Sequence, residues 1–310
     1  MTDLTLTFLG TGAGTPSLTR NVSGLGMRWV QRGALWLFDA GEGTQQQMLR
    51  SPLKLSRLEH VFVSHLHGDH VFGLPGLLAT RSAAQDAQAP VTVWGPPGLE
   101  EWLRLTLRLS GTGLGYPLAV HTVSEGLLWE DEAREVWCRR LAHRVPSYGY
   151  AVREKPRPGA FDAARALGLG LPPGPLFGRL MAGESVALPD GRVVSGLDLV
   201  GPPRPGRAVA VCGDTGPTPA AAALAAGADV LVHEATFLSE HSARAAQSGH
   251  STAAQAAQAA REAGVGTLIL THFSPRYESG TPPGLDALLA EARAVFPDTL
   301  LARDLWTYEI

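Results

Sequence analysis

Cysteine is nearly missing from this chain: only Cys138 and Cys212 occur in 310 residues, both in strand-like apolar runs. That excludes a disulfide framework and fits two core thiols of a cytoplasmic protein. No apolar run approaches the roughly 18 residues that a membrane helix needs, so no membrane span is expected. The opening MTDLTLTFLGTG has no basic stretch ahead of its apolar residues, and no secretory leader is expected either. Lysine is almost as scarce as cysteine, with only Lys54 and Lys155, so the basic chemistry rests on arginine. Charged residues make up 18% and hydrophobic ones 45%, which excludes a disordered or coiled-coil chain.

Short apolar runs that end in Gly, Asp or His alternate with helical patterns from end to end. Among them are Leu4–Leu9, Ala34–Phe38, His60–Ser64, Ala208–Cys212, Val230–Val232 and Thr267–Leu270. Helical spacing appears at Leu74–Ala84, Leu99–Leu109, Pro219–Ala226, Thr252–Ala263 and Leu285–Phe296. Thr252 with Gln255 reads as a capping box, and Gly264 closes the same helix. The alternation predicts a layered α/β fold in one domain over residues 1–310. The rhythm breaks at Glu154–Gly183, which is dense in Pro and Gly. Between Arg144 and Leu180 six basic residues (Arg144, Arg153, Lys155, Arg157, Arg165, Arg179) face only Glu154 and Asp162. That is a local charge of +4 in a chain of net −3. The stretch reads as an arm set into the domain.

Metal-type residues recur just after the predicted strands: Asp39, His65, His143, Asp214, His233–Glu234 and His272. Strand ends along one sheet edge converge, so distant residues can form one site. The densest signal is Ser64-His65-Leu66-His67-Gly68-Asp69-His70. Residues i and i+2 of an extended segment share a side, so His65 and His67 can hold one metal. Gly68 permits a turn that aims Asp69 and His70 at a second. Imidazoles with carboxylates suit zinc better than calcium or magnesium.

The run HLHGDH resembles the HxHxDH signature of the metallo-β-lactamase superfamily. Within it the chain is most similar to the ribonuclease Z family of tRNA 3′-processing endonucleases. The likeness rests on FLGTGAGTP (8–16), DAGEGTQ (39–45), SHLHGDHVFGLPGLL (64–78), PSYGY (146–150) and GPLFG (174–178). GPP (201–203), CGDT (212–215), HEATF (233–237), GHST (249–252) and LTHFSPRY (270–277) extend it over almost the whole chain. The resemblance implies a four-layered αβ/βα sandwich with a protruding arm at about 150–182. It implies that His65, His67 and His143 bind one zinc, that Asp69, His70 and His272 bind a second, and that Asp214 bridges them. Two cations so placed stabilise both oxygens of an in-line phosphoryl displacement.

By the same resemblance Asp69 accepts a proton, and His250 with Glu234 donates one to the leaving oxygen. His250 precedes a helix N-terminus, which disfavours its charged form; a carboxylate partner counters that. Arg20 and Asn21, Gly174 and Pro175 of the arm, and Arg276 and Tyr277 are the expected substrate contacts. The implied substrate is precursor tRNA, and the implied assembly is a homodimer. The family's PxKxRN loop reads PSLTRN at 16–21, with Leu18 in place of lysine, a departure at the position tied to the tRNA 3′ end. A broader dizinc RNA phosphodiesterase or exonuclease is the other reading the motifs allow. Asp39 is expected to orient the site; His60, His121, His233 and His241 are expected to stay outside it.

Overall fold

A computed structural model describes residues 3–84, 88–157, 159–188, 190–278 and 283–310. Strands β1 (Leu4–Gly10), β2 (Gly24–Trp29), β3 (Ala34–Ala40), β4 (Leu58–Phe62), β5 (Val91–Gly95) and β6 (Leu118–Thr122) come first. Next are β7 (Gly126–Glu130), β8 (Arg134–Leu141), β9 (Ser147–Glu154) and a short hairpin, β10 (Ser185–Ala187) with β11 (Val193–Ser195). The chain closes with β12 (Ala208–Cys212), β13 (Val230–Glu234), β14 (Thr267–Thr271), β15 (Thr299–Leu301) and β16 (Thr307–Glu309).

The chain divides into two compact units. The first holds the described residues up to Glu130 with Val136–Val152 and Ala208–Ile310; the second holds Asp131–Glu135 and Arg153–Arg207. In the first unit two seven-stranded sheets run in the orders β16-β1-β2-β3-β4-β5-β6 and β15-β14-β13-β12-β9-β8-β7. Alternation along the strands explains the layering. In β13, Val230 and Val232 join the core between the sheets, while Leu231 faces the helices outside. β12 repeats this, with Val209 and Val211 inward and Ala210 and Cys212 outward. Strands buried on both faces read as unbroken apolar runs. Helices Leu74–Ser82 and Leu99–Leu109 cover the first sheet, while Pro219–Ala225, Ala253–Ala263 and Leu285–Arg293 cover the second. This is the expected four-layered sandwich. The Thr252–Gln255 capping box and the Gly264 cap both form. Among the described residues no helix is long and apolar enough to cross a membrane.

Pairing of β3 with β4, and of β12, β13 and β14 with one another, is parallel. Parallel strands put their carboxyl ends on one rim, and there the sequence placed its metal-type residues.

The second unit reaches beyond the Pro/Gly-dense segment, to Arg207, and the segment itself is partly helical. Asp162 accepts from the Arg165 amide to cap helix Ala163–Gly168, and Pro175 opens helix Pro175–Met181. Ala166, Leu171, Leu180, Val186, Leu188, Val194 and Leu199 form a core of its own. Glu154 and Arg207, where the chain enters and leaves this unit, are clamped together. Arg207 donates from Nε and a terminal nitrogen to the two Glu154 carboxylate oxygens at 2.9 and 2.6 Å, and Arg157 adds a bond of 2.6 Å.

Candidate metal centre

The loop after β4 carries His65 and His67, and the short helix Gly68–Val71 carries Asp69 and His70. His143 follows β8, Asp214 follows β12, Glu234 ends β13 and His272 follows β14. Both sheets therefore contribute. Donor atoms of His65, His67, His143 and Asp214 lie within 4.8 Å of one another, as do those of Asp69, His70 and His272, and of Asp214, His250 and His272.

Glycine makes this convergence possible at two points. A Cβ on Gly41 would sit 2.2 Å from the Asp69 carbonyl oxygen, and one on Gly213 would sit 2.4 Å from the Ser64 Cβ. Asp39 and His272 hold left-handed backbone, at φ of 56° and 58°, a conformation costly for residues with a Cβ. Their contacts fix it. Asp39 accepts from the Ser64 amide at 2.7 Å and hydroxyl at 2.8 Å, and meets His70 Nδ1 at 2.7 Å. Phe273, next to His272, exchanges backbone bonds with Thr11 and Ala13.

The outer nitrogens decide which way the lone pairs point. His143 Nδ1 donates to the Gly249 carbonyl at 2.7 Å, and His70 Nδ1 donates to Asp39. The Ser64 hydroxyl gives its proton to Asp39, so its oxygen accepts from His65 Nδ1 at 3.0 Å. The Thr236 hydroxyl gives its proton to Glu234 at 2.7 Å and accepts from His272 Nδ1 at 2.9 Å. All four rings are thereby turned with Nε2 inward as an acceptor. His67 Nδ1 then lies 3.0 Å from His65 Nε2 and 3.4 Å from His143 Nε2. His70 and His272 face each other through Nε2 at 3.3 Å, with Asp214 Oδ1 at 3.4 and 3.3 Å and Asp69 Oδ2 at 3.5 and 3.4 Å. Converging acceptors with too few protons between them repel in a buried site unless a cation fills the gap. The residues fit two divalent cations, and imidazole and carboxylate donors without thiolate suit zinc. Cys138 and Cys212 are buried, and burial pushes both thiols up to about 12.

Electrostatics agree with the geometry. Burial drives His65 down to about 2, with His70 adding to it, and burial also lowers His67. Burial opposes the charge on Asp214 and Asp69, yet the surrounding histidines outweigh it and hold both carboxyls below their ordinary range. His70 is raised although buried, because Asp214 and Asp39 face it, a local demand for positive charge.

His250 stands beside this centre. Its Nδ1 meets Glu234 Oε1 at 2.8 Å, and that bond outweighs burial to push the ring up to about 9. The sequence weighed only the N-terminus that follows His250. The structure adds the end of helix Ser242–Ser248, where the His250 amide donates to the Ala245 carbonyl.

The six expected substrate contacts lie in different surroundings. Arg20, expected to contact substrate, is largely buried. Its guanidinium donates to Thr11 and to the Ala302 carbonyl, pairs with Glu278 at 3.4 Å and lies over the Phe273 ring. The Asn21 side chain donates to the Glu42 carbonyl, and its amide donates to Asp304. Tyr277 is also buried, its hydroxyl accepting from the Leu238 amide. Arg276 rests over Phe237 and donates to Ser274. Gly174 and Pro175 are exposed at a helix start, and Leu18 is fully exposed. His60 packs among Trp36, Phe62, Trp94 and Trp129; the His121 ring lies tilted against Trp94; His233 bonds the Glu234 carbonyl; His241 lies beside Glu240. Sequence reasoning missed Thr236, Ser64 and the Gly14 amide, which donates to Asp69 Oδ2 at 2.8 Å. All three lay inside quoted motifs but had no metal-type chemistry to mark them.

The sandwich and its two donor clusters define a metallo-β-lactamase-fold protein. A profile described as a beta-lactamase superfamily domain matches residues 187–273, and one described as anti-Pycsar protein Apyc1 matches residues 4–112. A Brevibacillus brevis protein named Ribonuclease Z is 53% identical over 306 residues, covering 98% of this chain and 96% of its own. A Prochlorococcus marinus protein of the same name is 52% identical over 310 residues, with coverage of 98% and 97%. The crystal structure of human tRNase Z, short form, superposes with a TM-score of 0.71 at 31% identity, covering 99% of both chains. The chain belongs to the ribonuclease Z family.

Proposed function

We propose that this chain is a zinc-dependent endoribonuclease that removes the 3′ trailer from precursor tRNA, leaving a 3′-hydroxyl tRNA and a 5′-phosphorylated trailer. The observation that carries the reading is the pair of converging donor clusters with His250–Glu234 beside them, in a chain about half identical to proteins named Ribonuclease Z. His65, His67 and His143 with Asp214 would hold one zinc, and Asp69, His70 and His272 with Asp214 the other. When bound, such cations supply Lewis acidity toward the phosphoryl group.

The chain's own residues do the rest. Asp69, oriented by the Gly14 amide, takes a proton from the attacking water. The bond from phosphorus to O3′ breaks, and O3′ must gain a proton. His250 supplies it from Nε2, because Glu234 holds Nδ1 and favours the charged ring. The reading includes a homodimer, a cytoplasmic location, and residues about 150–182 as an arm that grips tRNA by its backbone. Exposed Arg157, Arg165 and Arg179, with Gly174 and Pro175 at a helix start, support that last part.

The test uses a 5′-labelled precursor tRNA with a 3′ trailer. Arg157 and Arg204 bond each other through their backbones, so a glycine linker can replace residues 158–203 in a parallel variant. A single chelator-sensitive cut after the discriminator nucleotide is expected, lost in the variant while a small phosphodiester is still hydrolysed. Small-ester hydrolysis without any cut in tRNA would overturn the substrate.

A further inference from the structure

A second charged cavity lies in the first unit, away from the metal centre. The turn between β2 and β3 and the segment Pro52–Arg57 enclose about 390 Å³, lined by Arg28, Arg32, Lys54 and Arg57. No carboxylate lines it, and among the described residues none of these four cations is paired with one. The Asp3 carboxylate meets this turn at the Gln31 amide, 2.7 Å away. Two of the guanidinium groups are already placed. Arg28 donates a terminal nitrogen to the Pro52 carbonyl at 3.1 Å, while its Nε is buried without a partner. Arg57 lies flat over Gly33, three of its guanidinium atoms each 3.9 Å from where a Cβ would stand.

Four like charges around one cavity repel, and a buried N–H without an acceptor adds to the cost. An anion relieves both. In a chain of net −3 this concentration of charge has no counterpart in the fold's own ion pairs. We infer that the cavity binds a phosphate group of the RNA backbone, a second anchor for the nucleic acid. This rests on the RNA-cleaving reading above. The cavity meets β3 at Leu35 and the metal centre meets it at Asp39, so the two sites are separated by about 13 Å of strand. An RNA longer than the reacting nucleotides can reach both, whereas a small phosphodiester cannot.

The test compares the metal-loaded wild type with Arg32→Ala/Arg57→Ala and with Arg32→Lys/Arg57→Lys. Binding of precursor tRNA is followed across a salt series, hydrolysis of a small chromogenic phosphodiester is measured alongside, and light scattering gives the mass. Losing one phosphate contact makes the slope of log K against log salt shallower by about 0.7–0.9. The alanine variant is expected to show that change and RNA binding about tenfold weaker at low salt. Small-diester turnover should be unchanged and the lysine variant near wild type. An unchanged slope and affinity in the folded alanine variant would overturn the inference. So would a change in mass, which would make the cavity a subunit contact. Stabilisation by millimolar inorganic phosphate that the alanine variant loses, with an unchanged RNA slope, would assign the cavity to a free anion and overturn the RNA assignment. If the double variant does not fold, the exposed Arg32→Ala carries the same comparison. The slope comes from binding alone, so a wild type that binds RNA without cutting it would fail the functional reading separately.

Discussion

The metal centre and the second unit hold charged groups in opposite ways. At the centre Asp39, Ser64, Thr236 and Gly249 each fix one imidazole from behind; His70, His65 and His272 so fixed are almost wholly buried, and His143 is half-buried. In the unit of residues 153–207 the pairs Arg179–Glu184 and Arg192–Asp190 lie at the surface, each partner more than half exposed. Its apolar core is small, and Glu154–Arg207 is a better-buried clamp than either of these pairs. Burial therefore decides what each charge is worth: at the centre a lost partner strands another buried group, and at the surface water replaces it.

The comparison breaks most visibly at Asp214, the carboxylate shared by both donor clusters. Asp214→Ala should empty both sites and abolish RNA cleavage, a loss beyond the roughly 10–100-fold that removing an outer partner costs. Elemental analysis beside a cleavage assay reads both. Glu234→Gln comes next. It keeps the shape but takes the charge from His250, so cleavage should fall about 100-fold with zinc retained. Loss of metal in that variant would mean that Glu234 acts mainly by propping Thr236 against His272.

Arg20→Ala sharpens the comparison away from the donors. It takes the buried cation from Glu278, leaving only the Ser17 and Thr19 hydroxyls on that carboxylate, and uncovers Phe273, next to His272 in the chain, so about 3 kcal/mol of stability should go, read as a lower unfolding midpoint. Zinc occupancy should fall first at the cluster that contains His272. Unchanged occupancy and stability would return Arg20 to the substrate.

This residue also marks where the sequence stops being informative. The donors were legible because each follows an apolar strand, and parallel strands leave one common rim. Asp39 was legible through its motif. The contacts of Arg20 were not legible because its partners Glu278, Ala302 and Thr11 come from both ends of the chain, a pairing no local pattern displays. Strand β2 escaped because Gly24, Gly26 and Arg28 interrupt its apolar alternation. At Gly26 a Cβ would meet the Leu53 Cδ1 at 2.2 Å, so that side chain would have to move. The helices within 163–181 escaped because Pro and Gly dominate the composition, although Pro175 sits where a helix starts most easily.

Within the second unit, Glu154 gives a pH signature. Burial raises its carboxyl, but the bonds from Arg207 and Arg157 outweigh that and hold it at about 2. A depressed carboxyl stabilises the fold above its unfolded value, near 4.5, and the effect is lost as pH falls toward 2. Amide protection in peptides from residues 153–207, taken relative to the intrinsic exchange rate at each pH, should therefore fall between pH 5 and 2 in the wild type. In Glu154→Gln protection should be lower at pH 5 and nearly flat over that range. The same pH dependence in both proteins would place the titrating group elsewhere.

The smallest effect belongs to Arg179–Glu184. The pair is short, at 2.8 Å, yet both side chains are more than half exposed, so its strength is diluted by water and by salt. Arg179→Ala and Glu184→Ala should each change the unit's stability by less than about 1 kcal/mol, with the difference vanishing at high salt. Exchange rates in the same peptides read this directly. If Arg179 instead grips RNA, its substitution weakens precursor tRNA binding while the apo protein's exchange rates stay put. Glu184→Ala leaves that binding intact or strengthens it by freeing the guanidinium. Opposite signs for the two partners of one ion pair would separate a contact kept for the nucleic acid from one kept for the fold.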